Sequence, residues 1–294
     1  MTAMLSELLQ FLFSGLTVGS MYALAALGYA LIYNASHIVN FAQGEFIMLG
    51  AMVTSALSEA GVALPLAAFV AVATAVLAGI LMQRLAIRPA RGAPLVSVLI
   101  ITLGVALIIR GAVQLILGKG NHGLRAFSGE VPLQFHGATL APQSLWVVSV
   151  TLVVVLALAW YFGRTISGQA MLATSHNRLA AELVGINTEW VMLVSFALSG
   201  ALGAIGGVIT APITFTSYDA GVVLGLKGFA AAALGGLGSG PGAIIGGLAL
   251  GLIEALSAGY LSPAYKDAIA FVLILFVFIF MPRGLLGAKV TERV

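Results

Sequence analysis

PLVSVLIITLGVALIIRGAVQLIL, Pro94–Leu117, decides the class of this fold, because the run carries a single charged residue, Arg110. As an α-helix it advances about 1.5 Å per residue and covers the ~30 Å of hydrocarbon in a bilayer. Its apolarity is continuous rather than alternating, which excludes the short dyad-repeat strands of a membrane β-barrel. Similar runs extend outward on both sides: Phe11–Tyr33, Phe41–Ser58 and Pro65–Gln83 before it, Ser144–Phe162 and Trp190–Ala211 after it. Three more follow at Leu224–Gly235, Ala243–Ala258 and Ala268–Met281, the first of them too short to cross alone. The expected fold is an all-α polytopic membrane protein with about eight or nine membrane-crossing segments, some broken or re-entrant. Residues 1–294 are read as one transmembrane domain.

Composition agrees. The chain is 61% hydrophobic and 8% charged, with a mean hydropathy of +1.11. A soluble surface needs about 25% charged residues, so lipid must replace water over most of this one. The 36 glycines suit helices that approach closely. Cysteine is absent, and the net charge of +3 gives no reason to expect nucleic-acid binding. MTAMLSELLQ lacks the basic start of a secretory signal and carries Glu7, so the first apolar run is expected to stay as a membrane helix.

The basic residues set the orientation. Arg84, Arg88 and Arg91, then Arg164 and Arg178, then Arg283, Lys289 and Arg293 should face the cytoplasm by the positive-inside rule. The 118–143 connection, with Lys119 and Arg125 against Glu130, is then external, as is the N-terminus. A cytoplasmic C-terminus favours an odd number of crossings. Trp146, Trp160 and Trp190 fall at span ends, as interface anchors do.

Two stretches combine polarity with apolar surroundings. In Asn34–Gly50, Asn40, Gln43 and Glu45 sit beside Phe41 and Phe46. They either line a transport path or form a turn near the interface, with Glu45 complementing the helix dipole. In Ala231–Leu256, the glycines from Gly235 to Gly246 surround Ser239 and Pro241. That stretch is either a tight turn between spans or the unwound centre of a broken helix. Pairs four apart, Gly15/Gly19, Gly203/Gly207, Gly242/Gly246 and Gly247/Gly251, also suit close helix packing. The stretch lacks the Gly-Lys-Ser/Thr of a nucleotide-binding loop. Arg110 has reach enough to snorkel to headgroups, the simpler reading, or to hold a carboxylate in the path. Glu254 and Asp267 raise the same question. His37, His122, His136 and His176 do not cluster with acids at ligand spacing, so a metal site has little support.

Residues 163–189 form the longest cytoplasmic piece. One amphipathic helix is expected over Gly168–Leu183, ended by Gly185, with Met171, Leu172, Leu179, Leu183 and Val184 on its apolar face. It would dock a cytosolic partner or lie on the membrane. No HExxH, GxSxG or close acidic pair in a catalytic setting is found, so the chain is expected not to be an enzyme.

The chain resembles the branched-chain amino acid permease family of bacterial ABC importers, in particular its LivH-like subunits. The resemblance covers nearly the whole length. It rests on GLTVGSMYALAALGYALIY at Gly15–Tyr33, VNFAQGEFIMLGA at Val39–Ala51 and SVLIITLGVALIIRG at Ser97–Gly111. AAELVGIN at Ala180–Asn187, KGFAAAALGGLGSGPGAIIGGLALGLIEAL at Lys227–Leu256 and MPRGLLG at Met281–Gly287 complete it. It implies a multi-pass inner-membrane transport subunit that works by alternating access. Its implied partners are a LivM-like second permease, two cytosolic ATPases and an extracytoplasmic substrate-binding protein. ATP and Mg2+ would be bound by the ATPases, with no cofactor on this chain. Residues 163–189 become the coupling loop, with Gly168, Ala170, Ala181 and Gly185 as small residues permitting close docking. Asn40, Gln43, Glu45 and Ser239 are the candidate path residues. Gln43 stands where many family members have His, which leaves the substrate open among aliphatic amino acids, urea, short amides and aromatic acids. A rival class, an ion-coupled secondary transporter or channel, would need acids deep in the bundle, whereas Glu45, Glu254 and Asp267 map near span ends.

Overall fold

The structure is a computed structural model that describes residues 2–287 apart from Glu130, His136, Phe215 and Pro282. Glu130, His136, Lys289 and Arg293, which entered the orientation and metal readings, lie outside the described residues. Apolar runs become helices because a bilayer offers the backbone no water, and a helix satisfies its own polar groups. They are α1 (Thr2–Ser36), α2 (Gln43–Glu59), α3 (Leu64–Met82), α4 (Leu95–Leu117) and α5 (Pro142–Arg164). Then come α6 (Ile166–His176), α7 (Arg178–Leu183), α8 (Thr188–Thr210), α9 (Ala220–Gly235), α10 (Gly240–Tyr260) and α11 (Lys266–Phe280).

Among the described residues, seven helices are long and apolar enough to cross a membrane. The α2 helix has 17 residues and α9 has 16, so neither reaches a full span. The α3 helix continues through a π-turn at Gln83–Ile87, where Arg88 N donates to Gln83 O at 2.8 Å. One element has no counterpart in the hydropathy pattern: β1 (Leu133–Phe135) pairs antiparallel with β2 (Ala138–Leu140) in the 118–141 connection. Six residues of strand do not disturb the all-α class.

The bundle is built around α1. Of its most apolar window 89% is buried, against 11% for α5, so α1 is enclosed by protein while α5 presents itself to lipid. It packs against α5, α8, α9 and, most extensively, α10. Small residues permit that approach. Gly15 and Gly19 meet Leu252 and Leu248 of α10, while Gly251 meets Gly19 and Gly247 meets Ala23. In lipid, helices gain no hydrophobic drive toward one another, so such close contact supplies the cohesion. The spacing of four thus accounts for these glycines.

The two ends of the bundle are distinct. At one, Thr139 N donates to Gln10 Oε1 (2.7 Å), His122 meets Glu59 (2.8 Å) and pairs through its backbone with Thr216. At the other, Arg88 (3.1 Å) and Arg91 bind Glu189 beside α6 and α7.

Candidate functional site

A turn does precede α2 and Glu45 stands in the first turn of that helix, but the three candidate side chains of Asn34–Gly50 point into the bundle rather than to an interface. Asn40, Gln43 and Glu45 are all buried. Gln43 opens α2 beside Ser199, midway along α8: its Nε2 donates to Ser199 O at 3.2 Å, and the one Ser199 hydroxyl proton has two acceptors within reach, Gln43 Oε1 and Gly28 O. Asn40 Oδ1 accepts from Ala42 N at 3.0 Å, closing the turn before α2, while its Nδ2 finds no partner. Two residues beyond Gln43, Glu45 accepts from Arg110 Nη2. Arg110 therefore does not snorkel; it reaches inward to a buried carboxylate, and its guanidinium side chain is 23% exposed. Gly44 packs on Gly221 and Gly225 of α9, and Tyr29 Oη donates to Gly225 O at 3.0 Å. A side chain at Gly221 would place its Cβ 2.6 Å from Glu45 Oε2, so that carboxylate has room only because residue 221 is glycine.

A second charged cluster is only half visible in the sequence. Lys227 of α9 donates to Glu254 Oε1 of α10 (2.7 Å) and pairs with Asp267 Oδ1 of α11 (2.6 Å). Tyr22 of α1 donates to Glu254 Oε2 at 2.8 Å. Lys227 and Glu254 are buried, whereas Asp267 is half exposed. Four helices thus meet at one ammonium. Sequence reasoning misses Lys227, although a lone lysine in the middle of an apolar segment is itself the signal. Glu254 stands in the last two turns of α10, as its place in the sequence suggests, but is buried between helices.

Ser239 lies elsewhere. Gly235–Gly242 is a tight turn and not a broken helix: α9 stops at Gly235, Gly236 and Gly238 take φ of +105° and +88°, and Ser239 Oγ caps α10 by accepting from Gly242 N at 3.0 Å. The turn stands beside Asn34 and borders a cavity of about 380 Å³ whose other walls include Leu172 and His176 of α6. Ser239 therefore sits with the α6 end of the bundle.

The expected single helix over Gly168–Leu183 is two. Asn177 is extended (φ −157°), and its side chain accepts from Ala180 N to start α7, as Thr165 starts α6 through Gly168 N. Of the expected apolar face only Met171 is buried, whereas Leu172 on the same helix and Leu179, Leu183 and Val184 beyond the break are exposed. Gly168 folds α6 back onto the end of α5, where a Cβ would lie 2.7 Å from Phe162 Cα. Ala170 is partly buried against the core and Ala181 is buried. Gly185 is exposed with φ +90°, and a Cβ there would meet nothing within 4 Å. Thr188 Oγ1 donates to Glu182 Oε1 at 2.6 Å and Arg178 adds a second bond, which together hold the Glu182 carboxyl below the usual range.

The family model described as "Branched-chain amino acid transport system / permease component" matches residues 11–278. The high-affinity branched-chain amino acid transport system permease protein LivH of Escherichia coli is 36% identical, over 97% of each chain. BraD of Pseudomonas aeruginosa, a permease protein of the same description, is 33% identical over 97% of this chain and 98% of its own. A chain of PsaBC from Streptococcus pneumoniae, solved in complex with a Fab, shares the fold with a TM-score of 0.52 at 13% identity. It covers 93% of this chain and 92% of its own. Helices that cross a bilayer, charges buried between them and a relation that runs end to end lead to one conclusion. The chain belongs to the branched-chain amino acid transport permease family, as a LivH-like, non-catalytic, multi-pass inner-membrane subunit of an ABC importer.

Proposed function

We propose that this subunit carries branched-chain or other aliphatic amino acids inward by alternating access. The observation that supports it best is similarity across 97% of the chain to permeases described as high-affinity branched-chain amino acid transporters. The working assembly pairs this chain with a LivM-like permease, two cytosolic ATPases that hold ATP and Mg2+, and an extracytoplasmic binding protein. Residues 1–294 act as one permease domain with an external N-terminus and a cytoplasmic C-terminus. Among the described residues, the short α2 and α9 add to the seven long helices to make nine membrane-entering segments. Asn40, Gln43 and Glu45 face the path, with Ser239 at its inner end.

The test is calorimetry on the cognate binding protein across leucine, isoleucine, valine, urea, small amides and aromatic acids. Tight binding of the branched aliphatic acids supports the assignment. Selective binding of urea, an amide or an aromatic acid moves the chain to another substrate branch.

Residues 163–189 serve as the coupling loop, with Gly168 and Ala181 shaping it from within and Ala170 and Gly185 at its edges. Exposed Leu179, Leu183 and Val184 suit an apolar cleft on an ATPase. Gly185→Val is expected to leave membrane insertion intact and to lower ATPase copurification and uptake together. A left-handed conformation costs a branched residue about 1–2 kcal/mol, so Gly185→Asn, which tolerates it better, separates strain from docking. Normal ATPase retention and uptake in both variants would remove Gly185 from the coupling role.

A further inference from the structure

A buried ion pair that only holds helices together normally has its remaining polar atoms satisfied, because each unpaired group in a dry interior is unfavourable. The Glu45–Arg110 pair does not follow that pattern. Glu45 is 2% exposed and its Oε2 has no hydrogen-bond partner; Arg110 Nε has none either. One partner therefore lacks a donor and the other lacks an acceptor, beside the point where α2 opens midway along α8. Close by, an open groove of about 570 Å³ runs between α2, α3 and α4, lined by Leu49, Val53, Ile109 and Val113 and rimmed by exposed Ile108 and Ile116. Leu49 is one helical turn beyond Glu45, and Ile109 and Val113 flank Arg110 in α4. Neither charge lines the groove itself, and its walls are almost wholly apolar.

We infer that Glu45 and Arg110 form a zwitterion clamp for an aliphatic α-amino acid, whose ammonium takes Glu45, carboxylate takes Arg110, and side chain extends toward this groove. The inference rests on the transport reading proposed above and names its substrate site. A zwitterion exchanges one internal ion pair for two external ones without changing the net charge of the site. Urea and amides supply donors and acceptors but no charge to compensate the separated pair. An aromatic acid anion would satisfy Arg110 and set a second negative charge against Glu45.

The experiment is labelled-leucine uptake by this chain reconstituted with its permease, ATPase and binding-protein partners. Absence of branched-chain amino acid uptake by the wild-type complex would overturn the transport reading and the clamp with it. Given wild-type uptake, the Glu45→Gln/Arg110→Gln double variant strands no buried charge and is expected to assemble. Its uptake should nevertheless fall by about tenfold or more, the loss of at least one charge-assisted contact. Uptake within about twofold of wild type, less than 0.5 kcal/mol, would overturn the clamp alone and leave a purely structural ion pair. Should the double variant not assemble, the wild-type complex decides by leucine binding in the absence of the binding protein. Unlabelled leucine should displace the label, whereas leucinamide and isocaproate, each lacking one charge, should not. Equal displacement by either analogue, or no leucine binding at millimolar concentration, overturns the clamp.

Discussion

Lys227→Met is expected to lower the stability of the folded subunit by about 3–5 kcal/mol, the usual consequence of stranding a buried charge. The loss comes from Glu254, which is buried and would keep only the Tyr22 hydroxyl as a partner. Asp267 contributes less, because it is half exposed and water can replace the ammonium. The double variant Lys227→Met/Glu254→Gln should recover most of the loss: the glutamine is neutral and still accepts from Tyr22. Thermal unfolding in detergent, followed by the fluorescence of Trp146, Trp160 and Trp190, measures both. A single variant that melts with the wild type, or a double variant no better than the single, would show that the four-helix cluster does not hold the fold.

Gly251→Val should also be damaging, for a steric reason. A Cβ at residue 251 would lie 2.6 Å from Gly15 O and collide with the backbone of Gly19. Backbone cannot rotate away as a side chain does, so the α1–α10 seam must open along its length. Overpacking of this kind costs about 1–3 kcal/mol or more. In a membrane the opened seam is not closed again by a hydrophobic force. Gly104→Ala is the matching control, because residue 104 in α4 has nothing within 4 Å of a Cβ. That substitution should leave the melting temperature unchanged or raise it slightly through helix propensity. Equal melting of the two variants would mean that glycine in this bundle serves flexibility and not contact.

The spans are legible in the sequence because hydropathy acts over about 20 residues and averages out local detail. The seam is legible for a related reason: glycines four apart share a helix face. What hydropathy does not give is depth. Its boundaries put Glu45 near an interface, while packing against Ser199 carries the start of α2 to the middle of α8. The partner of Arg110 lies 65 residues away, and that of Tyr22 lies 232 residues away. No local pattern links such pairs, so the sequence leaves Arg110 between two readings and does not join Lys227, conspicuous as a lone lysine, to Glu254. The Asn177 break is present in the sequence as a capping residue, but the apolar spacing on both sides suggests one continuous helix.

The enclosure of α1 also has a consequence for how the chain is made. Its contacts with α10 join residues 232 positions apart, and a ribosome adding about 5–20 residues per second needs roughly 10–50 s to span that distance. A helix made early in this sequence thus depends heavily on one made in its last third. Throughout that interval Tyr22 and the glycine face of α1 wait in lipid, or beside the translocon, for a partner still being synthesised.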